Sequence, residues 1–142
     1  TGPILCGYSF QEALNISRQI GDHHEESNHL RNLGLVYEST GQYYVALQCY
    51  HEALKISRVI ADRFGEVISL RSLGRYHFKQ KNFCLAIDCF LEGLKISREI
   101  EDNQIEAVVL RDLEKYYRLM RFCSLTLACF INVLMDLKKN WG

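Results

Sequence analysis

The chain has 142 residues, of which 48% are hydrophobic, and its 17 basic and 17 acidic residues cancel. That length is enough for one domain with a buried core. The zero formal balance argues against wholesale binding to nucleic acid or an anionic membrane, which usually shows as excess positive charge, and no apolar run reaches the ~18 residues of a membrane span.

The first predicted helix, about Pro3–Ile20, closes on "ALNISRQI". The same text returns as "ALKISRVI" (Ala53–Ile60) and "GLKISREI" (Gly93–Ile100), at intervals of 40 residues with no gaps. A fixed period of this size marks a solenoid of stacked units. Asp22, Asp62 and Asp102 each precede a new helical pattern and are placed to cap it. Within the first full period, Leu30, Leu33, Gly34 and Tyr37 follow i, i+3, i+4, i+7 spacing. Gly41 then ends that helix in a left-handed turn, and Asn82 is expected to serve the same turn one period later. Ala46, Leu47, Tyr50, Ala53 and Leu54 form the apolar stripe of the second helix. Full pairs are expected from about Glu25 to Ile60, Gly65 to Ile100 and Gln104 to Lys139.

Six cysteines raise the question of a disulfide framework. Cys49, Cys89 and Cys129 lie one period apart, so they hold equivalent places rather than neighbouring ones. The reading is of reduced, buried cysteines in a cytoplasmic protein. The chain begins at Thr1, which suggests a piece excised from a longer protein.

No catalytic constellation emerges. "HHEESNH" (His23–His29) fails the HExxH zinc pattern, because His24 and His29 are five apart, ~140° around a helix. Cys84 with Cys89 and Cys123 with Cys129 lack C-x-x-C spacing. There is no phosphate-binding glycine loop and no nucleophile elbow. The expectation is a protein that is not an enzyme and that uses no metal or cofactor.

The repeat resembles the tetratricopeptide repeat. Leu30, Leu33-Gly34, Tyr37, Ala46, Tyr50 and Ala53 carry the resemblance in the first copy, and Leu70, Leu73-Gly74, His77, Ala86, Phe90 and Gly93 in the second. Leu110, Leu113, Tyr117, Phe130 and Val133 carry it in the third, where Glu114 and Thr126 depart from small residues. Arg58 stands where the family usually has proline, as in the 40-residue variant found in polarity adaptors that carry GoLoco motifs. The resemblance implies an all-α, right-handed superhelix of about seven antiparallel helices: a single domain over 1–142, with a half repeat at 1–22 and full repeats at 23–62, 63–102 and 103–142. It also implies a non-catalytic protein-binding scaffold.

In that family one face of each first helix lines a concave groove for a partner peptide. With ~100° per residue, the face beside the core stripe holds Asn28, Arg31 and Leu35, joined by Glu38. Its equivalents are Ile68, Arg71, Arg75, Phe78 and Lys79, then Val108, Arg111, Lys115 and Arg118, with Leu119 alongside. Positive charge is concentrated there, so the expected ligand is an acidic peptide or acidic helix face, gripped by planar guanidinium forks. Leu35, Ile68, Phe78 and Val108 would supply apolar pockets. A second arginine series, Arg18, Arg58 and Arg98, sits at the ends of second helices and reads as structural, with Asp22, Asp62 or Asp102 as candidate partners. RNA recognition through the same face is the weaker reading, given net neutrality.

The last predicted helix offers a rival use. "FCSLTLACFINVLMDL" is apolar on more than one face, whereas an end helix should be polar outside. Leu127, Phe130, Ile131, Leu134 and Met135 are the residues through which the solenoid would assemble with another copy.

Overall fold

The computed structural model describes the backbone of residues 3–121 and 127–141, and the side chains of 6–121, 131 and 134–140. Seven helices form there: α1 (Pro3–Ile20), α2 (His23–Ser39), α3 (Tyr43–Val59), α4 (Arg63–Lys79), α5 (Phe83–Glu99), α6 (Asn103–Met120) and α7 (Leu127–Trp141). No strand occurs among the described residues. The chain divides into two compact units, Thr1–Leu73 and Gly74–Gly142.

The expected caps form. Asp22 Oδ1 accepts from the Glu25 amide at 3.0 Å, Asp62 Oδ1 from Gly65 at 2.8 Å, and Asp102 Oδ1 from Ile105 at 3.1 Å. Each satisfies an amide that the helix itself leaves unpaired. The helix ends share a second device. Gly41 adopts φ +80°, and the Gln42 amide donates back to the Tyr37 carbonyl at 2.8 Å, closing the last turn. One period later the left-handed residue is Lys81, at φ 62°, and not Asn82, which precedes α5 with φ −88°. Exact repetition of the 40-residue register decides this, since 81 rather than 82 is the equivalent of 41. Ala61 and Glu101 hold the same conformation, both at φ 56°.

In the first unit α2 packs against both α1 and α3. Leu14, Leu30, Leu33, Cys49 and Ala53 form one buried cluster, flanked by Phe10, Tyr37, Val45 and Ile56. Burying that apolar surface is the main stabilising term, at roughly 25 cal/mol per Å². In the second unit α5 packs against α6 and touches α7. There the Phe90 ring stacks on Tyr116 at 5.0 Å between centroids, and Phe78 leans on Tyr116 at 4.6 Å.

The cysteine expectation needs correction. Cys6, Cys49 and Cys89 are in no disulfide, but Cys84 is disulfide-bonded. The argument from equivalent positions covers Cys49, Cys89 and Cys129. Cys84 stands outside that series, so nothing in the period keeps its sulfur from a partner. Burial pushes the Cys49 thiol up to about 11, which makes it an inert core residue. Cys123 and the Cys129 side chain lie outside the described residues. No described helix is long and apolar enough to cross a membrane.

Candidate partner-binding faces

In the first unit the candidate face is built by α2 and the first part of α4. Asn28, Arg31, Ile68 and Arg71 are half-buried there, and Leu35 is exposed. Arg31 is not an open rung. Its Nη1 donates to Ser27 Oγ at 2.9 Å and to Ser69 Oγ at 3.2 Å, and its Nη2 donates to Asn28 Oδ1. Burial is the largest influence on this guanidinium and pulls its pKa down, against the opposing fields of Asp62 and Glu25.

The serines that receive Arg31 are themselves buried and joined to α3. Ser27 Oγ donates to the Ala53 carbonyl at 3.1 Å and lies 3.0 Å from Ser57 Oγ. A hydroxyl has one proton, so Ser57 is the donor in the serine pair. Arg31 thus ties α2 to α4 through neutral groups, in the same unit. Five guanidinium N–H groups are available, and these three bonds leave two.

Glu38, assigned to the same face, belongs to the interior. It is buried, and Tyr50 Oη donates to its Oε2 at 2.8 Å. At ~80° from the stripe a side chain can turn either way, and the phenol turns it inward.

In the second unit Arg75, Phe78 and Val108 are half-buried, while Lys79, Arg111, Lys115 and Arg118 are exposed. Phe78 offers no open pocket, because its ring meets Phe83 edge-on at 5.1 Å as well as Tyr116. Lys115 Nζ sits 5.2 Å from the Tyr116 ring centroid, within cation–π range. Arg118 Nη2 donates to Glu114 Oε1 at 2.6 Å across one exposed turn of α6. Arg75 carries a buried Nη2 without a hydrogen-bond partner among the described residues. Arg111 makes no ion pair there.

The second arginine series has a different environment. Arg18 Nε meets Glu26 at 2.8 Å, Arg58 Nε meets Glu66 at 3.0 Å and Arg98 Nε meets Glu106 at 2.7 Å. Arg18 also reaches Glu52 at 2.8 Å. These pairs clamp the end of a second helix to the start of the next first helix. Their partners are the glutamates eight residues ahead, not the capping aspartates, each of which accepts from a backbone amide. Sequence reasoning missed those glutamates, although Glu26, Glu66 and Glu106 recur at the same 40-residue interval.

The histidines near the start of α2 disperse to three carboxylates. His23 meets Glu26 at 3.0 Å, His24 meets Asp62 at 2.9 Å and His29 lies 3.7 Å from Glu25. Among the described residues no three His, Cys, Asp or Glu side chains come together to hold a metal ion. A cleft of about 250 Å³ runs between Gly7, Tyr8 and Gln11 of α1 and Val36 and Tyr37 of α2 with Thr40 and Gln42 just beyond it, without a charged side chain in its lining.

Comparison with known proteins agrees with the helical pattern. The family model of the tetratricopeptide repeat matches residues 7–59 and residues 25–99. No curated protein matches the chain.

Proposed function

Because the chain belongs to the tetratricopeptide repeat family, whose repeats generally mediate protein–protein interaction or scaffolding, we propose that it is a non-catalytic scaffold for an acidic peptide or acidic helix face. The ligand would lie against a first-helix face within one unit, that of α2 and the start of α4 or that of α6. One contrast carries this reading. The arginines of second helices are matched by carboxylates of their own chain at 2.7–3.0 Å, whereas Arg31 and Arg111 have no ion pair among the described residues. An incoming carboxylate supplies what those two positions lack, and charge-assisted bonds are the stronger kind.

The test uses exposed positions, so that folding is preserved. Arg111→Glu with Lys115→Glu is expected to weaken binding of a glutamate-rich peptide by about tenfold or more, equivalent to ~1.4 kcal/mol, at unchanged melting temperature. Equal affinity of the variant and the parent would refute the acidic-ligand reading. A second reading, assembly of copies, is favoured by the exposure of Ile131, Leu134 and Met135 on α7. The side chains of Leu127 and Phe130 lie outside the described residues. Light scattering across a concentration series tests it, and a monomer at high concentration removes it.

A further inference from the structure

The α1–α2 and α5–α6 pairs are equivalent, two periods apart, yet they are filled differently. The second pair has Ile87, Tyr116 and Met120, which are 0%, 7% and 1% exposed. At the same places the first pair has Gly7, Val36 and, just past α2, Thr40. All three are smaller. They line the cleft of about 250 Å³ described above. At its base a Cβ on Gly7 would stand 3.0 Å from Val36 Cγ1, so the two helices are already in contact and cannot close the space by drawing nearer. The sizes of three side chains therefore make the cleft, and it lies within one compact unit.

Its lining states what fits. An apolar space of about 150 Å³ is enough for a benzene ring, whereas drug-sized ligands take roughly 300–1,000 Å³. The cleft therefore suits one substituted ring. Each helix contributes a tyrosine to the lining, Tyr8 from α1 and Tyr37 from α2, and aromatic rings favour offset or edge contact with another ring. At the rim, Gln11 Nε2 donates to Asn15 Oδ1 at 3.4 Å and Gln42 Nε2 to Thr40 Oγ1 at 3.3 Å. The Thr40 hydroxyl is itself turned to the Val36 and Tyr37 carbonyls. Each glutamine keeps its Oε1 as an acceptor. Without a charged side chain in the lining, the complement is a neutral ring that carries one donor, which is a phenol. We propose that this cleft captures a tyrosine side chain of a partner protein, with the ring beside Tyr8 and Tyr37 and the hydroxyl donating to a glutamine Oε1 at the rim. That the phenol belongs to a protein rests on the scaffold reading above, though not on its acidic ligand.

The probe is the blocked tripeptide glycyl-tyrosyl-glycine, titrated to millimolar concentration and read by NMR shifts of the backbone amides of α1 and α2. Saturable shifts around Gly7 and Val36 are expected, and the phenylalanine analogue should bind about threefold more weakly, the scale of one hydrogen bond. Gln11→Leu together with Gln42→Leu, both at exposed sites, should erase that preference. Val36→Tyr restores the residue type of positions 76 and 116, so it should fill the cleft from within and abolish binding without lowering the melting temperature. If that variant does not fold, the glutamine pair still decides. Arg111→Glu with Lys115→Glu should leave this binding intact, which separates it from the acidic-ligand reading. Three results overturn the proposal: no shifts in α1 and α2, shifts that persist unchanged in both sets of cleft variants, or binding of free p-cresol but not of the tripeptide.

Discussion

The ring of Tyr50 rests against the backbone of Gly34, so closely that a Cβ on residue 34 would stand 2.5 Å from ring carbon Cε1. Its hydroxyl is held by buried Glu38, so the ring cannot swing aside freely. Phe90 sits on Gly74 in the same way, at 2.7 Å from the corresponding Cβ position. Glycine is required in these helices for close approach, despite its low helix propensity.

Gly34→Ala is accordingly expected to destabilise the protein. Alanine gains about 1 kcal/mol of helix propensity, while forcing extra volume into a packed site costs typically 1–3 kcal/mol. The overlap with an anchored, fully buried ring places this site toward the high end, so a net loss of about 1–2 kcal/mol is expected. Chemical denaturation of the variant checks it, and a variant as stable as the parent would show that the α2–α3 hairpin can relax.

Lys81→Gly should act in the opposite direction. Lys81 holds φ 62° at the end of α4, a conformation that costs a non-glycine residue roughly 1–2 kcal/mol. Glycine removes the strain and gives back part of it through greater unfolded-chain entropy. A gain of about 0.5–1 kcal/mol in denaturant unfolding is the expected result, with Gly41 as the natural precedent one period earlier.

The acid limb of the stability curve should depend on Glu26. Burial works to raise its pKa, but hydrogen bonds from Arg18 and His23 outweigh it and leave the carboxyl below its ordinary 4.5. A carboxyl depressed by folding contributes stability that is present above its ordinary value and lost as pH falls through the folded one. Glu26→Gln should therefore lower the melting temperature at neutral pH and shrink its decline below pH 4.5.

Asp88 should behave with the reverse sign. Burial first, and the charge of Asp136 second, raise its pKa above the ordinary 3.8. Ionisation is then less favourable in the fold than in the unfolded chain. Stability is full below the ordinary value and falls as pH rises toward the folded one. Asp88→Asn is expected to melt higher than the parent at neutral pH and to lose that advantage below pH 3.8, which thermal scans at the two pH values would show.

Much of this architecture was readable before any coordinates, because the text repeats. Equivalent residues 40 apart must occupy equivalent environments, so Asp22, Asp62 and Asp102 could be assigned to caps, and Gly41 to a left-handed helix end, by register alone. The candidate faces were less readable. Phase around a helix reports only an angle for Arg31, Glu38 and Phe78. What each side chain meets at that angle depends on neighbours contributed by other helices. Arg31 finds Ser69, 38 residues away, Glu38 finds the Tyr50 phenol, and Phe78 finds Tyr116.

The amino-acid order alone therefore determined the helices, their pairing period and the residues that end them, since these follow from backbone geometry and from patterns read within one turn or one repeat. Which arginines are neutralised was decided by tertiary packing. Arg18 and Arg31 carry the same charge on neighbouring helices, yet one receives carboxylates and the other hydroxyls and an amide. The difference arises because the balance between desolvation and pairing is set by groups brought within about 3 Å through folding, a distance that separation along the chain does not encode.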